Sequence, residues 1–256
     1  KKDYAMAQQN KPAASKPKQD LPLFYKNPVV IDKNVHGTTG VVPLRDYGFA
    51  RNVNAVPIAL VELPQVVSTY PVVFTAGNLA MPVALLGLHE GENLFVDEKG
   101  NWQKDTYIPA YIRRYPFIFA EHGDTLTLCI DDQPGILSAK DGEKMFDDNK
   151  DMTPFTTNAL EFCKSYHTAS QETAQFAAIL QDADLLVERH ATIRVEGQQP
   201  YQLSGFRQLD EEKFRNLSAD QLADWHKKGW LGALYAHILS VSNWQKLFTL
   251  AHQSKK

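Results

Sequence analysis

The residues best suited to chemistry lie in one short block, residues 107–117, which reads Tyr-Ile-Pro-Ala-Tyr-Ile-Arg-Arg-Tyr-Pro-Phe. Two adjacent arginines stand among three tyrosines in this 107–117 block: Arg113, Arg114, Tyr107, Tyr111 and Tyr115. A guanidinium group is planar and binds carboxylate or phosphate through paired hydrogen bonds, while tyrosine supplies a stacking ring and a hydroxyl. The 107–117 block therefore predicts a surface that binds an anion or a peptide.

The same block has a plainer interpretation, as a corner between a helix and a strand. One arginine would then pair with an internal acid, for which Asp131 and Asp132 are the candidates. The two prolines of the block limit regular structure between them to about two helical turns. On such a helix Arg113 and Arg114 project roughly 100° apart. We therefore expect one arginine to be buried or half-buried against an acid and the other to reach a groove or solvent.

Two further places in the sequence could supply an acid or a base. Asp131 and Asp132 follow a predicted strand, where paired carboxylates can bind a metal or exchange protons. The Gln-Pro-Gly that comes next is equally typical of an ordinary turn. His89 begins a His-Glu-Gly-Glu-Asn stretch, which forms either a catalytic loop or a solvated turn between two apolar runs. The sequence leaves both alternatives open at both places.

Familiar catalytic and cofactor motifs are absent from the sequence. It contains no P-loop, no dinucleotide-binding glycine motif, no nucleophile elbow and no zinc-protease helix. The eight histidines are scattered, and no two are separated by the two or four residues typical of a metal pair. We therefore expect neither a metal nor a cofactor, although ligands from distant positions could still converge in the fold.

Composition and charge exclude several classes of protein. Hydrophobic residues make up 43% of the 256 residues and the net charge is −3, which favours a soluble globular protein without a nucleic-acid partner. Residues 63–88 carry no charge but contain three prolines, so we expect a buried helix–strand–strand unit and not an integral membrane protein. Cys129 and Cys163 show no disulfide or metal spacing, and no secretory signal is visible. We therefore expect reduced, buried thiols in a cytoplasmic protein.

The elements that must position these residues predict an α+β fold. Residues 21–150 are rich in strand patterns, with hairpins over residues 94–102 and around Gly123. Residues 153–250 are mainly helical, beginning with Thr153 as an N-cap. We expect the β-rich N-terminal half to pack with the helical C-terminal half in one core, within a single domain over 21–250. Residues 1–20 are polar and predict a disordered or mobile lead-in.

Several boundaries within the C-terminal half can also be predicted. A hairpin is expected over residues 191–195 and 201–203, with its turn at Glu196-Gly197, followed by a short helix over 209–217. Ser218 begins a capping box, and Gly229 is expected to end that helix. A helix with an apolar face follows over 230–240, and Ser242 caps a last turn.

Longer stretches of the sequence resemble the SapC family of bacterial proteins. The resemblance is carried by Asn-Ala-Val-Pro at 54–57, Tyr-Pro-Val-Val-Phe at 70–74, Pro-Val-Ala-Leu-Leu-Gly-Leu at 82–88, Gly-Glu-Asn-Leu-Phe-Val-Asp at 91–97, the 107–117 block, Leu-Thr-Leu-Cys-Ile-Asp at 126–131, Leu-Ser-Gly-Phe at 203–206 and Tyr-Ala-His-Ile-Leu-Ser at 235–240. It extends from about residue 25 to residue 250 and is most specific in the 107–117 block.

The resemblance implies a role in a bacterial surface-layer system or in peptide transport, with a protein or peptide partner. It also implies a link to tryptophan-halogenase-like proteins or TonB-dependent receptors, and it brings no established catalytic residues. We therefore expect a non-enzymatic accessory or binding protein. The alternative is an enzyme acting on a peptide or small anionic substrate, in which Arg113 or Arg114 orients the substrate and Asp131, His89 or His122 exchanges protons.

Overall fold

A computed structural model describes residues 21–193 and 201–253 of the chain. The strands are β1 (Pro28–Val30), β2 (Gly40–Val41), β3 (Ala55–Pro57), β4 (Val72–Thr75), β5 (Pro82–Leu85), β6 (Phe117–His122), β7 (Thr125–Asp131), β8 (Leu137–Ser138), β9 (Glu143–Lys144), β10 (Leu186–Ile193) and β11 (Tyr201–Leu209). The helices are α1 (Lys33–His36), α2 (Leu63–Val66), α3 (Ala110–Arg113), α4 (Pro154–Asp182), α5 (Glu211–Arg215), α6 (Ala219–Lys227), α7 (Trp230–Ser240) and α8 (Trp244–Gln253). The lead-in predicted over 1–20 lies outside the described residues.

The described strands form three antiparallel sheets. The largest has the order β10-β11-β4-β5-β3, and two smaller sheets have the orders β1-β7-β6 and β8-β2-β9. In the largest sheet, Phe206 and Arg207 of β11 pair with Thr75 and Phe74 of β4. The C-terminal half therefore contributes two strands to a sheet that begins in the N-terminal half. This arrangement confirms the predicted α+β class, with a strand-rich first half and a helical second half.

The buried apolar residues form three clusters that share side chains at their borders. One cluster covers the large sheet around Tyr70, and a second covers the β1-β7-β6 sheet around Ile130. A third lies under α6 and α7 around Phe176. Phe24 and Phe49 pack against the first and second clusters, and Leu60 and Ala233 pack against the first and third. The core is therefore continuous from one half of the chain to the other.

The uncharged stretch over residues 63–88 has the predicted order of elements. It contains α2, β4 and β5 in sequence, and proline occupies one of the first two positions of α2. β5 is buried along its whole length and β4 at three of its four residues. None of the helices in the described parts of the chain has the length and apolar character needed to cross a membrane.

Most predicted helix ends are confirmed. The Thr153 side chain accepts a hydrogen bond from the Thr156 amide at the start of α4. Ser218 and Gln221 form the capping box of α6, and Gly229 follows that helix with φ of +75°, which glycine adopts without strain. The hairpin of β6 and β7 closes at Gly123, as predicted.

Other boundaries were predicted wrongly. The C-terminal hairpin is longer than predicted, since β10 begins at Leu186 and β11 ends at Leu209; its predicted turn at Glu196-Gly197 lies outside the described residues. The helix predicted from Leu209 starts only after Asp210, whose carboxylate accepts from the Glu212 and Lys213 amides. Residues 94–102 form one isolated bridge instead of a full hairpin. The last turn predicted after Ser242 is a ten-residue helix, α8.

Both cysteines are free and buried, as predicted. Cys129 lies on β7 and Cys163 on α4. Burial raises the pKa of both thiols, that of Cys163 to about 11, so each remains a neutral thiol at ordinary pH.

Candidate functional site

A buried carboxylate fixes the beginning of the 107–117 block. Glu62 is 4% exposed, and its Oε1 accepts hydrogen bonds from the Ala110 amide at 2.6 Å and the Tyr107 hydroxyl at 3.0 Å. Its Oε2 accepts a third from the Ala59 amide at 2.9 Å. The Tyr70 hydroxyl donates to the Tyr107 carbonyl. These four bonds place Tyr107 and the first turn of α3 beside the large sheet.

Arg113 reaches the surface from the end of α3, and its guanidinium group is held by two hydrogen bonds. Nε donates to the Ile108 carbonyl and an Nη donates to the Tyr107 hydroxyl, both at 2.9 Å. The group lies 5.4 Å from the ring centroid of Tyr107 and 5.3 Å from that of Phe162, within reach of cation–π attraction. The Tyr107 hydroxyl thus accepts from Arg113 and donates to Glu62, so the buried carboxylate orients the exposed arginine through one hydroxyl.

The surroundings of Tyr107 keep its hydroxyl protonated, so that it can act as a hydrogen-bond donor. Burial, and then the negative charge of Glu62, raise the pKa of the Tyr107 hydroxyl, while Arg113 acts in the opposite direction. The hydroxyl therefore stays protonated at ordinary pH and can donate to Glu62 and accept from Arg113 at the same time.

Two open clefts meet at Arg113. The first has a volume of about 440 Å³ and is mainly apolar; among the residues that line it are Leu44, Tyr47, Phe155, Asn158 and Ala159. The second has a volume of about 230 Å³ and is also mainly apolar; among the residues that line it are Glu62, Gln65, Ser165, Tyr166 and Ala169. Arg113 and Phe162 line both. We call the two clefts together the Arg113 groove.

One face of α4 forms a side of the Arg113 groove. Phe155, Ala159, Phe162, Tyr166 and Ala169 are separated by three or four residues, the spacing that brings side chains to one face of a helix. All five are half-buried. The sequence spacing therefore marks a real face, and this face is only partly covered by the rest of the chain.

Arg114 contacts a different set of rings from Arg113. Its guanidinium carbon lies 4.5 Å from the ring centroid of Tyr166, 4.7 Å from that of Tyr111 and 5.7 Å from that of Tyr25. The side chain is half-buried, and its Nε has no hydrogen-bond partner. Burial raises the pKa of all three tyrosine hydroxyls, and the charge of Arg114 partly offsets this. We call this group the tyrosine cage.

The prediction that one arginine pairs with an acid is wrong. Within the described residues, neither Arg113 nor Arg114 forms an ion pair with a carboxylate. Tyrosine rings take the place of the acid at Arg114, because a guanidinium group is weakly hydrated and stacks on aromatic faces. The expected difference between the two arginines is confirmed, since Arg113 is exposed and Arg114 is half-buried.

We expect Arg114→Ala to lower the free energy of unfolding by about 2–3 kcal/mol, because it removes the cation from three rings and leaves a cavity among them. Arg113→Ala should cost less than about 1 kcal/mol, because that side chain is exposed. Urea denaturation of both variants measures the difference.

Arg114→Lys is the matched control for the cage, since it keeps the charge but loses the planar group. An intermediate loss of about 1–2 kcal/mol is expected. Equal losses in the two alanine variants would show that the tyrosine cage does not stabilise the fold.

Asp131 has a structural role and lines neither cleft of the groove. It is fully buried, and its Oδ1 accepts from the amides of Lys26 at 2.9 Å and Asn27 at 2.6 Å. Its Oδ2 accepts from the Tyr115 hydroxyl at 3.0 Å. Burial, and then the hydrogen bond to Asp131, raise the pKa of Tyr115. Both oxygens of Asp131 are therefore occupied, and its neighbour Asp132 is exposed.

His89 is also separate from the two arginines. It is half-buried in the loop after β5, where its amide donates to the Glu92 carboxylate at 3.3 Å, and it lines neither cleft of the Arg113 groove. Across residues 21–193 and 201–253, no three His, Cys, Asp or Glu side chains are arranged to hold a metal ion. Of the predicted site residues, the structure brings Tyr107, Arg113, Arg114 and Tyr115 to the groove, although the Tyr115 hydroxyl donates to Asp131. Tyr111 belongs to the tyrosine cage.

Comparison with protein families accounts for most of the chain. The sequence profile of the SapC family matches residues 31–247. The chain belongs to the SapC family. Among curated proteins, none matches the chain, and no solved structure matches it either. The SapC match includes Glu62, the 107–117 block and the groove face of α4, while Tyr25 of the tyrosine cage precedes it.

Four residues of the candidate site were not predicted from the sequence: Glu62, Phe162, Tyr166 and Tyr25. Phe162 and Tyr166 were visible as part of a helical face, but spacing alone does not tell a covered face from an open one. Glu62 follows an extended segment and resembles an ordinary surface acid in sequence. Its partners lie three residues away at Ala59 and more than forty away at Tyr107 and Ala110, so only the fold brings them together.

Proposed function

We propose that this SapC protein is a non-enzymatic binding protein that serves as an accessory in surface-layer assembly or in peptide uptake. The observation that carries the proposal is the exposed and oriented guanidinium group of Arg113. Its guanidinium group is exposed, held in place by Tyr107 and Ile108, placed beside an open groove and without an ion pair to any described carboxylate. An arginine that is already oriented loses little entropy when it binds an anionic partner.

The alternative function is an enzyme acting on a peptide or small anionic substrate. Such a site needs an acid or base within hydrogen-bond reach of the substrate-orienting arginine. The geometry favours binding because the oxygens of Asp131 are occupied by Lys26, Asn27 and Tyr115, and because His89 lies in another loop. Turnover of a peptide by the purified chain would support the enzyme instead.

Membership of the SapC family supports a role in surface-layer assembly or peptide uptake, with a protein or peptide as the partner. The partner we propose is a protein or peptide, and tryptophan-halogenase-like proteins and TonB-dependent receptors are the first systems in which to look for it. Both clefts are mainly apolar and carry polar side chains at intervals, which suits a polypeptide, because it offers both kinds of group along one chain.

Photo-crosslinking in native cells tests the proposal. A photoreactive amino acid replaces Asn158, which is exposed and lines the first cleft. The control carries it at Lys227, which is exposed on α6. We expect crosslinked products, identified by mass spectrometry, that form from position 158 and not from 227, and that decrease at least about fivefold with Arg113→Ala. Identical products from both positions, or products indifferent to Arg113→Ala, would contradict a binding site at the groove.

A further inference from the structure

The two clefts of the Arg113 groove follow each other along α4. The first is lined by Phe155, Asn158 and Phe162, and the second by Phe162 and Ala169. At a rise of 1.5 Å per residue, the fourteen steps along the helix from Phe155 to Ala169 span about 21 Å. An extended chain advances about 3.3–3.6 Å per residue, so the groove accommodates about six residues of extended polypeptide.

Arg113 lies where the two clefts meet, and it still has donors to offer. A guanidinium group has five N–H donors, of which one at Nε binds Ile108 and one at Nη binds Tyr107. Roughly three N–H groups are left for a ligand, enough for a bidentate contact with a carboxylate.

The carboxylates that line the groove already have donors of their own. Asp46, in the first cleft, accepts from the Gly48 amide at 2.8 Å. Glu62, in the second cleft, is buried and accepts three hydrogen bonds. Within the described residues neither carboxylate forms an ion pair with Arg113, so the remaining donors of Arg113 are available to one anionic group of a ligand, near the middle of the 21 Å span.

The N-terminal lead-in of this chain does not have the right charge to fill that place. Residues 1–20 contain five lysines and two aspartates. A segment with this excess of positive charge is repelled by an arginine at the centre of the groove. The occupant is expected to come from another molecule.

We infer that the Arg113 groove binds an extended segment of a partner protein, about six residues long, with an acidic side chain at its centre and apolar residues on at least one side. The inference rests on the proposed function, for which it names the class of ligand. The acidic side chain contacts Arg113, and the apolar residues enter the first cleft between Leu44 and Phe155.

Synthetic peptides test this inference directly. The probes are fluorescein-labelled seven-residue peptides of Leu, Phe and Val with Asp, Glu, Asn, Gln or Lys at the centre. The C-termini are amidated to remove their carboxylates, so the peptides differ in charge only at the central side chain. Binding to the full chain is measured by fluorescence anisotropy. We expect the Asp or Glu peptides to bind at least about tenfold more tightly than their Asn or Gln counterparts, and the Lys peptide most weakly.

Three variants locate the effect on the molecule. Arg113→Gln should remove the preference, so that the Asp or Glu peptides and the Asn or Gln peptides bind with about equal affinity. Asn158→Trp, an exposed change that fills the first cleft, should weaken all the peptides alike. Arg189→Gln, at an exposed arginine of β10, should leave every affinity unchanged.

Equal binding of acid and amide peptides, or an acid preference that survives Arg113→Gln, would overturn the inference. Self-association that Arg113→Gln abolishes would overturn it too, because the occupant would then be a second copy of the chain. If crosslinking at position 158 depends on Arg113 while the acid peptides show no preference, the proposed function stands and the inferred ligand class is wrong.

Discussion

Replacing Asp131 by alanine is expected to lower the free energy of unfolding by about 4 kcal/mol. The carboxylate is fully buried and accepts hydrogen bonds from the amides of Lys26 and Asn27 and from the Tyr115 hydroxyl. Alanine leaves the buried Tyr115 hydroxyl and the two part-buried amides without their acceptor, at about 1–3 kcal/mol for the buried group and less for each amide. The loss should appear as a lower midpoint of urea denaturation with an unchanged slope.

The neighbouring residue provides the control for this experiment. Asp132 has the same charge but is exposed, so Asp132→Ala should change the stability by less than about 0.5 kcal/mol. Asp131→Asn keeps two acceptor lone pairs and should lose about half as much as Asp131→Ala. Similar midpoints for the two alanine variants would mean that Asp131 does not hold residues 26 and 27 against β7.

The stability of the protein is expected to fall by about 3 kcal/mol between pH 7 and pH 4 through His237 alone. This histidine of α7 is 2% exposed, and its Nε2 accepts from the Leu209 amide at 3.2 Å. Burial lowers its pKa from the usual 6.5 to about 4. Between pH 6.5 and pH 4 His237 is therefore protonated in the unfolded chain but stays neutral in the folded chain. The free energy of unfolding decreases as the pH falls through this range.

Chemical denaturation at pH 7, 5.5 and 4 measures this loss in the wild type and in His237→Gln. The glutamine variant starts from a lower stability, but its slope with pH should be smaller by the His237 contribution. His226→Gln is the control, because His226 is exposed on α6 and its replacement should leave the pH dependence unchanged. A slope that persists in His237→Gln would assign the acid sensitivity to other groups.

Local patterns were sufficient to predict much of the fold. Proline positions predicted the order of α2, β4 and β5, and Thr153, Ser218 and Gly229 marked helix ends, because caps and turns depend on residues close in sequence. Leu209 shows where such reasoning fails. The sequence predicted it as the first residue of a short helix, yet it pairs with Leu186 and its amide donates to His237, partners that only the assembled fold supplies.

The candidate site was predictable in part for the same reason. The residue types of the 107–117 block indicated a binding surface, and the helical period indicated that its two arginines differ in exposure. The sequence could not show that Arg114 lies among Tyr25, Tyr111 and Tyr166, because those rings come from three distant segments. It also could not show that Glu62 orients Arg113 through the Tyr107 hydroxyl, a contact made across 45 residues.

During synthesis, β4 leaves the ribosome long before β11, the strand that covers its open edge. Phe206 pairs with Thr75, so the two partners are separated by roughly 130 residues, or on the order of ten seconds of translation at ordinary rates. For that interval the edge of β4 that faces away from β5 has no partner strand at Phe74 and Thr75, and an unpaired strand edge is a template for aggregation. We therefore expect the yield of folded protein in the cell to depend on chaperone protection and elongation rate as well as on the stability of the finished fold.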